Sequence, residues 1–161
     1  MIAEIKRVEK GYLAHFERQL NHSAEAVWAM LTVNEQLDRW FRELRVGELR
    51  EGGFMRFYVP EEMDQKLEIS ELKSLSVLEF DWFGDVIRFE LRPKQNGCAL
   101  VLKEKLNSIT EQTKKDLAGW HVCIDVIEAL LDGKSVQRET EWEKWHEKYA
   151  QKIDELTGSS Q

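Results

Sequence analysis

Side chains able to ligate a metal or attack a substrate are few in this sequence, and they are scattered. His15, His22, His121 and His146 share no short ligand spacing, and Cys98 and Cys123 form no C-x-x-C pair. A structural zinc site is therefore not expected. His121 and Cys123 stand two apart on a predicted helix, where i and i+2 side chains diverge. There is no G-x-S-x-G elbow for a nucleophilic serine. Cys123 falls on an apolar helical stripe, where a free thiol ordinarily behaves as a small hydrophobe. A Cys123–His pairing is the one nucleophilic arrangement left open. Gly52-Gly53 is an isolated pair inside a hairpin rather than a glycine-rich loop before a helix, so no phosphate cradle is predicted.

Two charged residues matter more. Arg18 and Glu104 each stand in register with an apolar strand face. A lone buried carboxylate costs several kcal/mol, about what several core methyl groups gain, so Glu104 must be paired, protonated or near solvent. One reading makes the two residues polar anchors for a ligand. The other makes them a strand-end ion pair, or turns Glu104 outward at a bulge. Trp28, Trp40, Trp82 and Trp120 are either pocket lining or core filling.

These residues are positioned by a legible series of elements. Tyr12, Ala14, Phe16 and Leu20 fall on one face of a strand, with Arg18 among them, and Leu13, His15, Glu17 and Gln19 take the other. Ser23 is a plausible N-cap for a short helix carrying Val27, Trp28, Met30 and Leu31. A second short helix starts at Asn34 and carries Leu37, Trp40 and Phe41. From Leu44 to Leu106 the pattern is nearly all strand: 44–49, 54–59, 66–72, 75–82, 86–92 and 98–106. Arg50-Glu51-Gly52-Gly53, Phe83-Gly84-Asp85 and the Asn96-Gly97 tip mark turns, and 60–65 reads as a polar loop. Leu117, Trp120, Ile124, Ile127 and Leu131 form one stripe of a long helix over about 110–131, stopped by Gly133. A last helix over about 139–156 carries Trp142, Trp145, Tyr149, Ile153 and Leu156. The tail from Thr157 to Gln161 is polar and expected to fray.

Composition bounds the rest. The chain has 161 residues and a net charge of −7, from 23 Lys+Arg against 30 Asp+Glu, and 42% of it is hydrophobic. That length suits one domain with a packed core. The acidic balance argues against nucleic-acid binding, which wants basic patches. No apolar run approaches a membrane span, and the N-terminus lacks the apolar core of a signal peptide. A cytoplasmic protein is expected.

The element order, a strand, two short helices, about six strands and a long helix, resembles the START-like helix-grip fold of the SRPBCC superfamily. In that α+β fold a curved seven-stranded antiparallel sheet wraps a long C-terminal helix. Ala26-Val27-Trp28 with Leu31-Thr32, Leu37 and Trp40-Phe41 is similar to the "VW…LT…L..WF" opening of one subgroup. Val46-Gly47-Glu48 with Gly52-Gly53-Phe54 is similar to its glycine turn. Gly119-Trp120, Cys123-Ile124, Ile127 and Leu130-Leu131-Asp132-Gly133 are similar to its "GW..CLD.L..LL.G" helix. That subgroup is named for the activator of heat-shock protein 90 ATPase. The resemblance covers about residues 12–133.

It implies a cavity between sheet and helix that takes an apolar or aromatic small molecule such as a lipid, sterol, polyketide or flavonoid. The implied lining is Phe16, Trp40, Phe41, Phe57, Phe80, Phe89, Leu102, Trp120 and Ile124, with Arg18 and Glu104 as polar anchors. Trp40-Phe41 would frame the cavity mouth. No metal or cofactor is implied. Co-chaperone members carry a further N-terminal domain with an Asn-Asn-Trp-His-Trp signature, and this sequence lacks that motif. Two other classes stay open. One is a protein-interaction module acting on a chaperone or another partner, as a monomer or weak dimer. The other is a cyclase-like enzyme, for which Glu104 and His121 are the only general acid–base candidates.

Overall fold

A computed structural model describes residues 1–158; residues 159–161 of the polar tail lie outside the described part. The elements run β1 (Glu4–Val8), β2 (Gly11–Leu20), α1 (Ala24–Thr32), α2 (Asn34–Trp40), β3 (Leu44–Glu48), β4 (Phe54–Val59), β5 (Met63–Lys73), β6 (Val77–Trp82), β7 (Asp85–Lys94), β8 (Gly97–Leu106), α3 (Glu111–Leu131) and α4 (Arg138–Thr157). The strands form an open antiparallel sheet in the order β1-β2-β8-β7-β6-β5-β4-β3. With the long helix near the C-terminus, this is the α+β architecture expected of a helix-grip protein.

The sheet has eight strands rather than seven. The added strand is β1, paired with β2 from Glu4↔His15 to Val8↔Gly11. Its alternation is masked because Glu4, Lys6 and Arg7 are exposed and only Ile5 is buried. The polar stretch 60–65 is shorter as a loop than its composition suggests, since β5 begins at Met63, opposite Val59.

Two compact units make up the chain, Glu17–Lys105 and Met1–Phe16 with Leu106–Gln161. In the first, Ser23 caps α1, its side chain accepting the Ala26 N–H at 3.1 Å. Trp40 closes α2 and donates its indole N–H to the Met30 carbonyl at 2.7 Å, which ties the two short helices together. Asn34 bonds both backbone groups of Val46 on the edge strand β3, at 2.7 Å to the N–H and 3.3 Å to the carbonyl. Gly97 has φ +145°, and a Cβ there would stand 2.0 Å from the Leu20 carbonyl oxygen, so only glycine lets β8 start against the end of β2.

In the second unit, Thr110 and Thr113 form a reciprocal capping box at the start of α3. Gly11 repeats the device of Gly97, with φ +110° and a Cβ position 2.1 Å from the Leu106 carbonyl oxygen. α4 buries Trp145, Tyr149 and Ile153, the middle of the expected seam. The ring of Trp145 stacks on His121 of α3 with centroids 3.6 Å apart.

Candidate functional site: an aromatic array in the Glu17–Lys105 unit

The end of α2 and strands β4, β6 and β7 place a connected array of rings. Trp40 lies 6.5 Å from Phe89 and 5.9 Å from Phe41. Phe41 lies 6.2 Å from Phe57 and 6.0 Å from Trp82. Phe80 touches both Phe89 and Trp82, at 6.5 and 6.3 Å. Beyond Trp82 and Phe57 comes Phe83, at 5.1 and 5.4 Å. Most pairs are close to perpendicular, which suits the aromatic quadrupole.

Local structure explains each placement. Alternation along β6 puts Phe80 and Trp82 on one face, and alternation along β4 pairs Phe57 with Met55. Phe41 is the C-cap of α2, donating its N–H to the Leu37 carbonyl at 2.6 Å. Exposure rises along the array. Trp40, Phe80 and Phe89 are buried, Phe41, Phe57 and Trp82 are half-buried, and Phe83 is 49% exposed. The array thus runs from the core to solvent. Its mouth is Phe41, Phe57, Trp82 and Phe83; Trp40, expected at the mouth, sits at the inner end.

Two cross-strand rows flank it. Leu78, Phe89 and Leu102 lie opposite one another on β6, β7 and β8, and so do Phe80, Ile87 and Glu104. Neighbouring strands are about 4.8 Å apart, so the Glu104 backbone lies about 10 Å from that of Phe80. Glu104 is 0% exposed, and Leu102 is equally buried. Glu104 does not turn outward. Arg18, on the buried face of β2, is half-buried, and β2 and β8 are neighbours in the sheet. Burial also pushes the Cys98 thiol up from its ordinary value.

The opposite face of the same strands carries charge. Arg88 bonds Glu71 at 2.7 Å, Glu79 at 3.0 Å and Glu90 at 2.6 Å. Glu90 also receives Arg92 at 2.9 Å and Lys103 at 3.1 Å. Burial alone would raise the Glu90 carboxyl, but these three cations outweigh it and bring it down to about 2. On β4 and β5, Asp64 is held below the usual carboxylate range by its hydrogen bonds from Arg56.

The remaining expected residues belong to the other unit. Phe16 is buried on β2, 6.3 Å from the His121 ring and 6.2 Å from Tyr149. Trp120 and Ile124 are buried on α3. Tyr149 Oη accepts the Ala3 N–H at 2.9 Å and lies 2.7 Å from His121 Nδ1. His121 Nε2 lies 3.7 Å from Asp125 Oδ2, one turn along the same helix. At 1% exposure His121 is a structural connector between α3 and α4.

Trp82, which the sequence leaves open between pocket lining and core filling, and Phe83, which it marks only as a turn residue, complete the array. Trp82 was legible as an aromatic on a strand face. Phe83 sits in a turn, where periodicity says nothing about direction. A separate open depression of about 580 Å³ lies at the start of α1, lined by Asn21, His22, Ser23, Lys94 and Asn96 among others. None of the expected residues lines it. Among the described residues no group of three or more His, Cys, Asp or Glu could hold a metal ion. No described helix is long and apolar enough to cross a membrane.

An open antiparallel sheet with two short helices inserted after β2, and a long helix after β8, defines a helix-grip protein of the SRPBCC type. The chain belongs to the family of activator of Hsp90 ATPase homolog 1-like proteins, whose model matches residues 21–132. Among solved structures it is similar to EF2215 from Enterococcus faecalis, a conserved protein of unknown function. That match has 23% identity and TM-score 0.86, covering 96% of this chain and 91% of the other. CalU16 from Micromonospora echinospora matches at 18% identity and TM-score 0.69, over 92% and 93% of the two chains. The protein encoded by BPP1335 of Bordetella parapertussis matches at 22% identity and TM-score 0.70, over 85% and 84%. These likenesses show the fold. No curated protein matches the chain.

Proposed function

We propose that the protein binds an apolar or aromatic small molecule of the lipid, sterol, polyketide or flavonoid kind, seated on the mouth of the aromatic array. The observation that carries this reading is the gradient of exposure along connected rings, from buried Phe80 and Phe89 to half-exposed Phe83. A core alone needs no such outward continuation. Half-buried aromatics gain free energy when a ligand covers them, at about 25 cal/mol per Å² of apolar surface removed from water. Arg18 and Glu104 are the proposed polar anchors, on the neighbouring strands β2 and β8. Membership of a family on a fold with wide ligand use supports the class of function, while the array supplies the site.

Native mass spectrometry of gently purified protein, beside a denatured control, tests this first. The expected result is a mass excess that disappears on denaturation. In parallel, naringenin, oleate and cholesterol are titrated against tryptophan fluorescence, with saturable quenching expected for at least one in the micromolar range. No excess mass and no saturable response to any of the three would refute the reading. Weight would then move to a protein partner docking on the exposed rings.

A further inference from the structure

Phe83 is held in a conformation that its turn does not favour. The β6–β7 connection is a two-residue loop, Phe83-Gly84, closed by the Trp82↔Asp85 pair. Both loop residues have positive φ, 53° and 96°. Turns of this type select Asn or Asp followed by Gly, because short polar side chains tolerate the left-handed region. Asp81 Oδ1 accepts the Gly84 N–H at 3.2 Å, which closes the loop independently of the residue at 83. A large aromatic at this position is a local conflict with the backbone. Such conflicts concentrate where a residue serves function rather than stability.

The strained position sets the ring at the outer end of the array. Phe83 lies nearly perpendicular to Phe57 (80°) and to Trp82 (77°), and half of it faces solvent. The same perpendicular packing links Phe41 with Phe57 (90°) and with Trp82 (75°). A planar aromatic ligand prolongs this edge-to-face pattern by one ring. A flexible acyl chain gains no quadrupole term there and loses more rotational freedom on binding.

We propose that Phe83 is the specificity-determining residue of the array and that it selects planar aromatic ligands over acyl chains. The inference rests on the small-molecule reading above and adds to it the ligand class and the selecting residue.

The test is titration of wild type, Phe83→Asn, Phe83→Tyr and Leu75→Asn with naringenin and with oleate, each variant checked for cooperative thermal unfolding. Leu75 lies in the β5–β6 turn, at the other end of β6 from Phe83 and also at positive φ (64°), so its replacement relieves the same kind of strain away from the array. Naringenin should bind wild type more tightly than oleate does. Phe83→Asn should weaken naringenin by about tenfold or more, the range that loss of one aromatic contact and its buried area produces, and weaken oleate by about threefold at most, because the acyl chain loses only buried area. Phe83→Tyr and Leu75→Asn should stay within about threefold of wild type, since the first keeps the ring and the second leaves the array intact. A folded Phe83→Asn variant with wild-type naringenin affinity overturns the proposal. So does equal loss in Leu75→Asn, which would trace the effect to turn strain. Wild type that binds oleate and not naringenin overturns it while leaving the small-molecule reading standing. Wild type that binds neither overturns it, and overturns the small-molecule reading as well when cholesterol gives no response and native mass spectrometry shows no excess mass.

Discussion

Neutralising Glu90 should destabilise the protein in a strongly pH-dependent way. Its carboxylate receives Arg88, Arg92 and Lys103 at 2.6, 2.9 and 3.1 Å, and its side chain is only 13% exposed. Its pKa falls from 4.5 to about 2. At about 1.4 kcal/mol per pH unit, that fall corresponds to about 3 kcal/mol. The network lies on a solvated sheet face, which brings the expected net effect to about 2 kcal/mol. The folded-state value is below the unfolded one, so the contribution is fully present above about pH 4.5. It is lost as the pH falls toward 2. Glu90→Gln should therefore lower stability by about 2 kcal/mol at pH 7, about 4–8 °C in Tm for a chain of this size. The difference from wild type should stay level between pH 7 and 5, then close between pH 4.5 and 2.5. Urea unfolding of both proteins across that range provides the measurement. A gap of the same size at pH 2.5 and pH 7 would refute the electrostatic account, and so would no gap at pH 7.

Two further changes probe how the ends of the fold are held. Tyr149→Phe removes the hydroxyl that meets both Ala3 N–H and His121 Nδ1 in a fully buried place. It should cost about 2–3 kcal/mol and accelerate amide exchange along Glu4–Val8, since burying a polar group without its bond is more expensive than the bond is worth; unchanged exchange in β1 would show that the phenol does not anchor it. Asn34→Ala removes both side-chain bonds to Val46 on the edge strand β3. It should cost about 1 kcal/mol and promote concentration-dependent self-association, seen by sedimentation velocity, because it exposes backbone groups at a sheet edge. A variant as monodisperse as wild type at high concentration would show that the edge is guarded by other means.

Most of the architecture was legible because one face of nearly every element is buried, and burial writes a period into sequence. α3 shows this: Leu117, Trp120, Ile124 and Ile127 of the stripe are buried, and Leu131 at its end is half-buried. Ser23 was recognisable as a cap because its oxygen has a fixed task at the start of α1. β1 escaped for the complementary reason. It is an edge strand that places one strongly apolar side chain, Ile5, in the core, while its charged residues face water. An edge strand with so small a buried face carries too little hydrophobic alternation to separate it from a polar N-terminus. The glycines at 11 and 97 were likewise ambiguous as punctuation. Their requirement comes from the Leu106 and Leu20 carbonyls, which the chain brings to them only on folding.

The candidate site was legible in composition and illegible in direction. Trp40, Phe41, Phe57, Phe80 and Phe89 do share one array, because strand alternation and a helix end put them on one face. Sequence could not say which end of the array meets solvent. Trp40 anchors the inner end, because its N–H is committed to the Met30 carbonyl and the ring is 1% exposed. Phe83 holds the outer end, and its placement depends on two consecutive positive φ values that hydrophobic periodicity does not encode. Local propensity argues for Asn at that position, and the chain has Phe instead. A core position would explain the choice by burial, but the ring is half exposed. The conflict at 83 therefore points outward, to the side on which the proposed ligand would sit.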